Sequence, residues 1–254
     1  MSSIAKQRLL SAIFVAVAIA VLLAPRIPQD PLYHQFADQR TWFGIPNAWN
    51  LLSNLIFAWV GIDGLYRLLV QKSLRIEAGI YPAYPVFFAA LVLTALGSAY
   101  YHWSPDNASL ALDRLPMAIA FMTFVAILLA ERVSLRFARR AFAPLLLAAI
   151  ASVAYWYYSE VAGRGDLRAY LLVQLMPIIL LPFLLLAFES HYDRNADLCW
   201  LLAWYLAAKI CELFDRQIYE LLVVVSGHSL KHLAAGLGSL AFLRHLRLRK
   251  PVQR

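Results

Sequence analysis

Charge is scarce in this sequence: Asp, Glu, Lys and Arg make up 15% of its 254 residues, against 62% hydrophobic positions. Soluble chains carry about 25% charged and 45–50% apolar residues, so most soluble enzyme folds are excluded. Cysteine is nearly absent, with only Cys199 and Cys211, both in one apolar stretch and at no metal-ligand spacing. That leaves no disulfide framework or thiolate metal site, and both read as packing residues. Internal repeats and low-complexity tracts are lacking as well. Present instead is apolarity gathered into blocks, with a mean hydropathy of +0.63.

The blocks fall at 9–25, 49–70, 84–103, 110–130, 141–158, 168–188, 198–214 and 220–243. A helix needs about 20 apolar residues to cross a hydrocarbon core about 30 Å thick, so each block suits one crossing. The expected fold is an all-α polytopic membrane bundle of eight helices in a single domain, 1–254. Pro25, Pro28, Pro82, Pro85, Pro105, Gly163 and Gly165 punctuate the joints. The first block follows Lys6 and Arg8 in the manner of a signal peptide, but no small-x-small cleavage site comes after it, so it reads as a retained helix.

Basic residues set the orientation, because cytoplasmic loops are enriched in Lys and Arg. With the N-terminus inside, fifteen of the 23 basic residues fall on the inner side, including Lys6, Arg8, Arg67, Lys72, Arg75, the Arg132–Arg140 group, Arg194 and the Arg244–Arg254 tail. Both termini are therefore expected in the cytoplasm. The net charge of +8 reads as this orientation signal, and the basic tail as a headgroup-binding segment rather than a nucleic-acid site.

Six histidines occur, and His102, His228 and His232 all lie at expected helix ends on the outer side. His228 and His232 are four residues apart, about 400° of helical rotation, so one face carries both. Ser98 lies one turn before His102, and Asp113 opens the next helix. Ionisable groups at membrane depth are costly and mark functional sites. Three neutral imidazoles with an open fourth position form the ligand set of a catalytic zinc ion, whose bound water has a pKa near about 7. A buried carboxylate suits a general base, and a serine hydroxyl suits a donor to an oxyanion. The reaction class this set suggests is hydrolysis of a carbonyl substrate.

At these residues the chain resembles a known family. Ser98-Ala-Tyr-Tyr-His102, then Asp113, then His228-Ser-Leu-Lys-His232 is the S-x-x-x-H, D, H-x-x-x-H pattern of the membrane hydrolases that group alkaline ceramidases with adiponectin and progestin receptors and GPI-lipid remodelling proteins. Trp49-Asn50-Leu-Leu-Ser53-Asn54-Leu55 is similar to the W-N-x-x-S-N-L opening of alkaline ceramidases, and Gly236-Leu-Gly-Ser239 to their closing stretch.

The resemblance implies a seven-helix core over 38–245, an extra N-terminal helix at 9–25 and a basic cytoplasmic tail at 246–254. It implies zinc on His102, His228 and His232 near the extracytoplasmic side, Asp113 activating water for attack on an amide carbonyl, and Ser98 stabilising the oxyanion. The substrate would be a ceramide-like membrane lipid, cleaved to a fatty acid and a sphingoid-type base. Alkaline ceramidases also bind Ca2+ through an acidic segment before W-N. Here residues 38–47 hold one carboxylate, Asp38, which argues against calcium control.

A lipid esterase or remodelling hydrolase would use the same residues, and a zinc-containing lipid-sensing receptor would use the metal without catalysis. A transporter built on Asp63, Lys209 and Glu212 is disfavoured by the lack of repeats. Asp63 and Arg67 read as a structural ion pair, and Lys209, Glu212 and Asp215 as an internal set that orients the bundle. The Arg164-Gly165-Asp166 string reads as a charged turn rather than an adhesion motif. Trp42, Trp49, Trp103, Trp156 and Trp200 are expected in an interfacial aromatic belt. His34, His191 and His245 are expected in solvent. Oligomeric state leaves no mark in the sequence.

Overall fold

A computed structural model describes residues 3–252; Arg254 and the side chain of Lys6, both part of the orientation argument, lie outside what it describes. The chain folds into an all-α polytopic bundle: α1 (Ser3–Leu23), a short α2 (Ala48–Leu52), α3 (Leu55–Leu69), α4 (Ala83–Trp103), α5 (Asn107–Arg132), α6 (Leu135–Val161), α7 (Arg168–Ala187), α8 (Asn195–Leu213), a short α9 (Asp215–Leu222) and α10 (Gly227–Leu248). Single 3-10 turns stand at Pro31–His34 and Ala78–Ile80.

Helices α4, α5, α6 and α7 are each long and apolar enough to cross a membrane. Their outer faces remain greasy: Leu93, Leu96, Leu147 and Leu186 are exposed, as suits a bundle solvated by lipid tails. Helix α5 is the central post, packed against α4, α6 and α7, while α10 packs on α8 and α3, and α1 on α7.

Two expected blocks are broken, each for a local reason. Within 49–70 the chain is interrupted at Ser53 and Asn54. There the Ser53 hydroxyl donates to the Asn50 carbonyl at 2.9 Å, and the Asn54 amide donates to the same carbonyl at 2.9 Å, so side chains take an acceptor that a continuing helix would use. The last block starts at Gly227 rather than 220. Before it, Asp215–Leu222 form α9, bent 107° from α10, with Val223 left-handed at φ 61° and Ser226 capping the new helix through Ser229 N–H at 3.2 Å.

The end of the bundle remote from the histidines is closed by a buried charge network. Arg249 donates to Glu131 at 2.7 Å and to the Arg75 carbonyl at 2.7 Å, Tyr84 donates to Glu131 at 2.9 Å, and Arg75 donates back to the Arg249 carbonyl. Within the expected basic tail from 246, α10 continues to Leu248 and Arg249 is fully buried against Glu131. His245 is likewise buried, against Arg249 at 3.2 Å, rather than solvated.

Candidate active site

Two glycines allow the site to form. A side chain at Gly97 would collide with the Leu112 carbonyl, and one at Gly227 with the Cys211 carbonyl and the Asp215 backbone. Bare Cα positions let α4 press against α5, and α10 against the α8–α9 joint. The next residue in each case, Ser98 or His228, is thereby carried into the site. Helix α5 starts in register because Asp106 caps it, accepting Ser109 N–H at 2.6 Å while Ser109 Oγ accepts the Asp106 N–H at 3.0 Å. That backbone donation holds the Asp106 carboxyl below its usual range.

His102, His228 and His232 come together as expected. One nitrogen from each lies within 4.8 Å of the others, and all three rings are buried. Both ring nitrogens of His102 are buried without a partner, a costly state for a polar group unless something else binds there. His232 Nδ1 stands 2.8 Å from Ser53 Oγ. Since the single Ser53 hydroxyl proton goes to the Asn50 carbonyl, Ser53 accepts from Nδ1–H, and the lone pair of His232 is left on Nε2. An outer hydroxyl that sets the tautomer in this way is a recurrent support for a metal-binding histidine. The buried three-histidine group fits a metal ion. His228 Nε2 meets the Lys231 ammonium at 3.0 Å, and Lys231 also donates to Glu212 at 3.2 Å.

Segment 36–54 braces the cluster. The Phe36 ring packs at 4.6 Å from His102 and 5.0 Å from His228. Asn47 donates to the His102 carbonyl at 2.9 Å, and Asn50 Oδ1 accepts from Ser226 at 3.1 Å and Ser229 at 2.7 Å. Asp215 accepts the His228 N–H at 2.7 Å and the Ala37 N–H at 3.1 Å. Asp38, the one carboxylate of this segment, is gripped by Arg40 through both oxygens at 2.8 and 2.7 Å.

Asp113 and Ser98 face the same space. Asp113 Oδ1 is buried without a partner. Both line a cavity of about 380 Å³, together with His232. A second, mainly apolar cavity of about 110 Å³ shares Phe57, Thr94, Met117, Phe121, Tyr205 and Ala235 with it and runs on towards Phe87 and Phe124. The pair has the polarity of an amphiphile, with a polar chamber leading into an apolar one.

The profile of the ceramidase family matches residues 43–250. The chain belongs to the ceramidase family. As a ceramidase-family protein it is an integral membrane protein of a family of hydrolases acting on the amide bond of ceramide. No curated protein matches the sequence. The matched span holds Ser98, His102, Asp113, His228 and His232 and leaves α1 and the 27–42 linker outside it.

Asp63 pairs with Arg67 at 2.8 Å, and Lys209 with Glu212 at 2.7 Å. Asp166 binds Arg168 at 2.7 Å and accepts from Tyr155 at 2.8 Å, so the aspartate of the turn is committed internally. His34 is half-buried and bonded to Tyr101 and Asn107 rather than solvated, whereas His191 is exposed. Cys199 is exposed and Cys211 half-buried, so only the second has a packing role. Trp156 departs from the aromatic belt: it is fully buried, beneath the guanidinium of Arg114. Sequence alone gives no role to Ser53, Asn50, Lys231 or Arg114. Ser53 and Asn50 lie in the W-N-x-x-S-N-L segment and Lys231 three residues after His228, so their positions, though not their bonds, were visible there.

Proposed function

We propose that this ceramidase-family protein is a zinc-dependent intramembrane amidase that cleaves a ceramide-like lipid into a fatty acid and a sphingoid-type base. The observation that carries it is the convergence of three buried imidazoles, one with both nitrogens unpartnered, beside a carboxylate with an unpartnered oxygen at the head of an amphiphile-shaped chamber. His102, His228 and His232 hold the zinc, which when bound lowers the pKa of water to about 7 and polarises a carbonyl.

The remaining steps fall to the chain. The apolar chamber takes the acyl tail, which leaves the amide carbonyl between Ser98 and Asp113. Asp113 accepts a proton from the attacking water as its oxygen bonds to the acyl carbon. It then delivers that proton to the amide nitrogen as the C–N bond breaks, giving carboxylic acid and free amine. Ser98 donates to the oxygen that becomes negative between those events.

The catalytic unit is the seven-helix core over 38–245, with α1 added before it. The site opens on the extracytoplasmic side and both termini are cytoplasmic, as the basic-residue distribution implies. In a Cys199→Ser, Cys211→Ser background, a cysteine placed at Arg164 should react with an impermeant maleimide on intact cells; protection there reverses the orientation.

The central test is zinc content together with fatty-acid release from a short-acyl ceramide in detergent. Wild type should carry about one zinc and cleave, and His228→Ala should lose both. Zinc without cleavage of any amide would overturn the amidase and leave an esterase or a receptor. A protein that holds no zinc even after its addition would overturn the metal site.

A further inference from the structure

We propose that Arg114 is a specificity-determining residue that reads an anionic oxygen group, a carboxylate or a phosphate, on the amine side of the amide substrate. The inference rests on the amidase reading for its substrate class. The binding subsite it describes stands on separate observations.

Arg114 follows Asp113 on α5, is 5% exposed and lines the polar chamber. Its guanidinium is boxed by three rings from three different elements: Trp156 at 4.2 Å, Tyr170 at 4.8 Å and Tyr33 at 5.5 Å. Nη2 donates to Gln29 Oε1 at 2.8 Å, and Nη1 is buried without a partner. Aromatic faces hold a cation in place and orient its plane, but they offer no acceptor to an edge N–H. Arginine stays protonated in proteins, so deprotonation cannot relieve the unmet donor.

Two carboxylates that line the same chamber, Glu212 and Asp30, are already committed. Glu212 is bonded to Lys209 at 2.7 Å and Lys231 at 3.2 Å and accepts from Tyr33 at 3.2 Å. Asp30, at the exposed mouth, caps the Pro31–His34 turn through Leu32 N–H at 2.8 Å. Asp113 is assigned to proton transfer. Among the described residues no ion pair involves Arg114, and a metal at the histidines would add to the positive charge. A buried, charged, pre-aimed donor of this kind discriminates strongly for an anionic acceptor, because a neutral one leaves its charge unmet.

Position fixes which part of the ligand it meets. Along α5 the polar lining ends at Arg114, and the residue one turn on, Met117, lines both chambers. A tail in the apolar chamber and a carbonyl beside Asp113 leave the amine-side group at the level of Arg114, under the 27–33 linker. Among the ceramide-like and related N-acyl amides that the site accepts, those whose amine carries a carboxylate or phosphate fit best.

The test compares N-dodecanoylglycine, N-dodecanoyl phosphoethanolamine and neutral N-dodecanoylethanolamine in maltoside detergent. Kd is read by calorimetry on the zinc-loaded Asp113→Asn protein, and kcat/KM for dodecanoate release on the active protein. At least one anionic ligand should bind on the order of tenfold or more tighter than the neutral one. Which anion wins distinguishes a carboxylate from a phosphate source. Adding Arg114→Gln should bring the ratio close to one, and Arg114→Lys should keep part of it. Equal affinities in the Arg114 protein, or a preference that survives Arg114→Gln, would overturn the subsite. Should Arg114→Gln not fold, the preference in the Arg114 protein and its weakening between 50 and 500 mM salt decide the matter, since a charge-based preference must show both. An intact binding preference without turnover of any amide would overturn the amidase reading and leave the subsite standing.

Discussion

Ser53 illustrates how one hydroxyl can set the chemistry of a neighbour it does not touch covalently. By donating to Asn50 and accepting from His232, it fixes which imidazole nitrogen keeps a lone pair. Ser53→Ala should therefore weaken zinc affinity about 10- to 100-fold, measured by competition with a chromophoric chelator, with little change in fold. Asp113→Asn removes the proton carrier while keeping volume and hydrogen-bonding capacity. Turnover should fall on the order of 10²–10⁴-fold with zinc content unchanged, as elemental analysis alongside a ceramide assay would show. If Asp113→Asn lost the metal as well, the carboxylate would be acting on the histidines and not on the substrate.

Helix contacts impose a different kind of constraint. Helices α4 and α5 meet where Gly97 faces the Leu112 carbonyl, so Gly97→Val must push the two apart at the level of Ser98 and Asp113. The variant should lose about 1–3 kcal/mol of stability, as overpacking does, and lose activity out of proportion to that change. A thermal melt paired with the assay at a temperature where the variant is folded separates the two effects. The turn before α7 carries a pH dependence. Its Arg168 guanidinium and Tyr155 hydroxyl hold the Asp166 carboxyl at about 2, below an ordinary 3.8. The unfolded chain therefore binds the extra proton first as pH falls, so this contribution is complete above about pH 4 and is lost as pH drops towards 2. Melting curves from pH 5 to pH 3 should fall more steeply for wild type than for Asp166→Asn.

Over the whole molecule the two ends of the bundle use charge in opposite ways. At the end away from the histidines, Arg249 and Glu131 pair at 2.7 Å in full burial and tie the end of α10 to α5 and the 75–77 loop. Glu131→Ala should destabilise the protein by about 3–5 kcal/mol, because Arg249 would remain buried without its counter-ion; melting in detergent measures it. At the histidine end, buried polar atoms on His102, Asp113 and Arg114 are left without partners. Other buried atoms without partners, among them Arg132 Nε and Arg249 Nη2, lie elsewhere in the bundle; what sets this end apart is that Asp113 and Arg114 turn their unmet atoms into one cavity, which marks where a ligand belongs.

Much of this was legible in the residues alone. Blocks of apolar sequence long enough to span a bilayer dictate helices, because backbone polar groups in hydrocarbon must be satisfied within the segment. Among the described residues each block holds one helix of fifteen residues or more, and four of these helices are long and apolar enough to cross a membrane. His228 and His232 share a face by helical period, and the S-x-x-x-H and H-x-x-x-H spacings suffice to name the candidates. Only the tertiary structure could decide what each polar side chain meets. That Trp156 lies under Arg114 rather than at the interface, that Arg249 turns inward to Glu131, and that Ser53 reaches His232 across 179 positions depend on contacts between helices far apart in the chain. Period and hydropathy specify a helix and its faces; the partner of a buried charge is set by which faces pack together, and no local pattern encodes that.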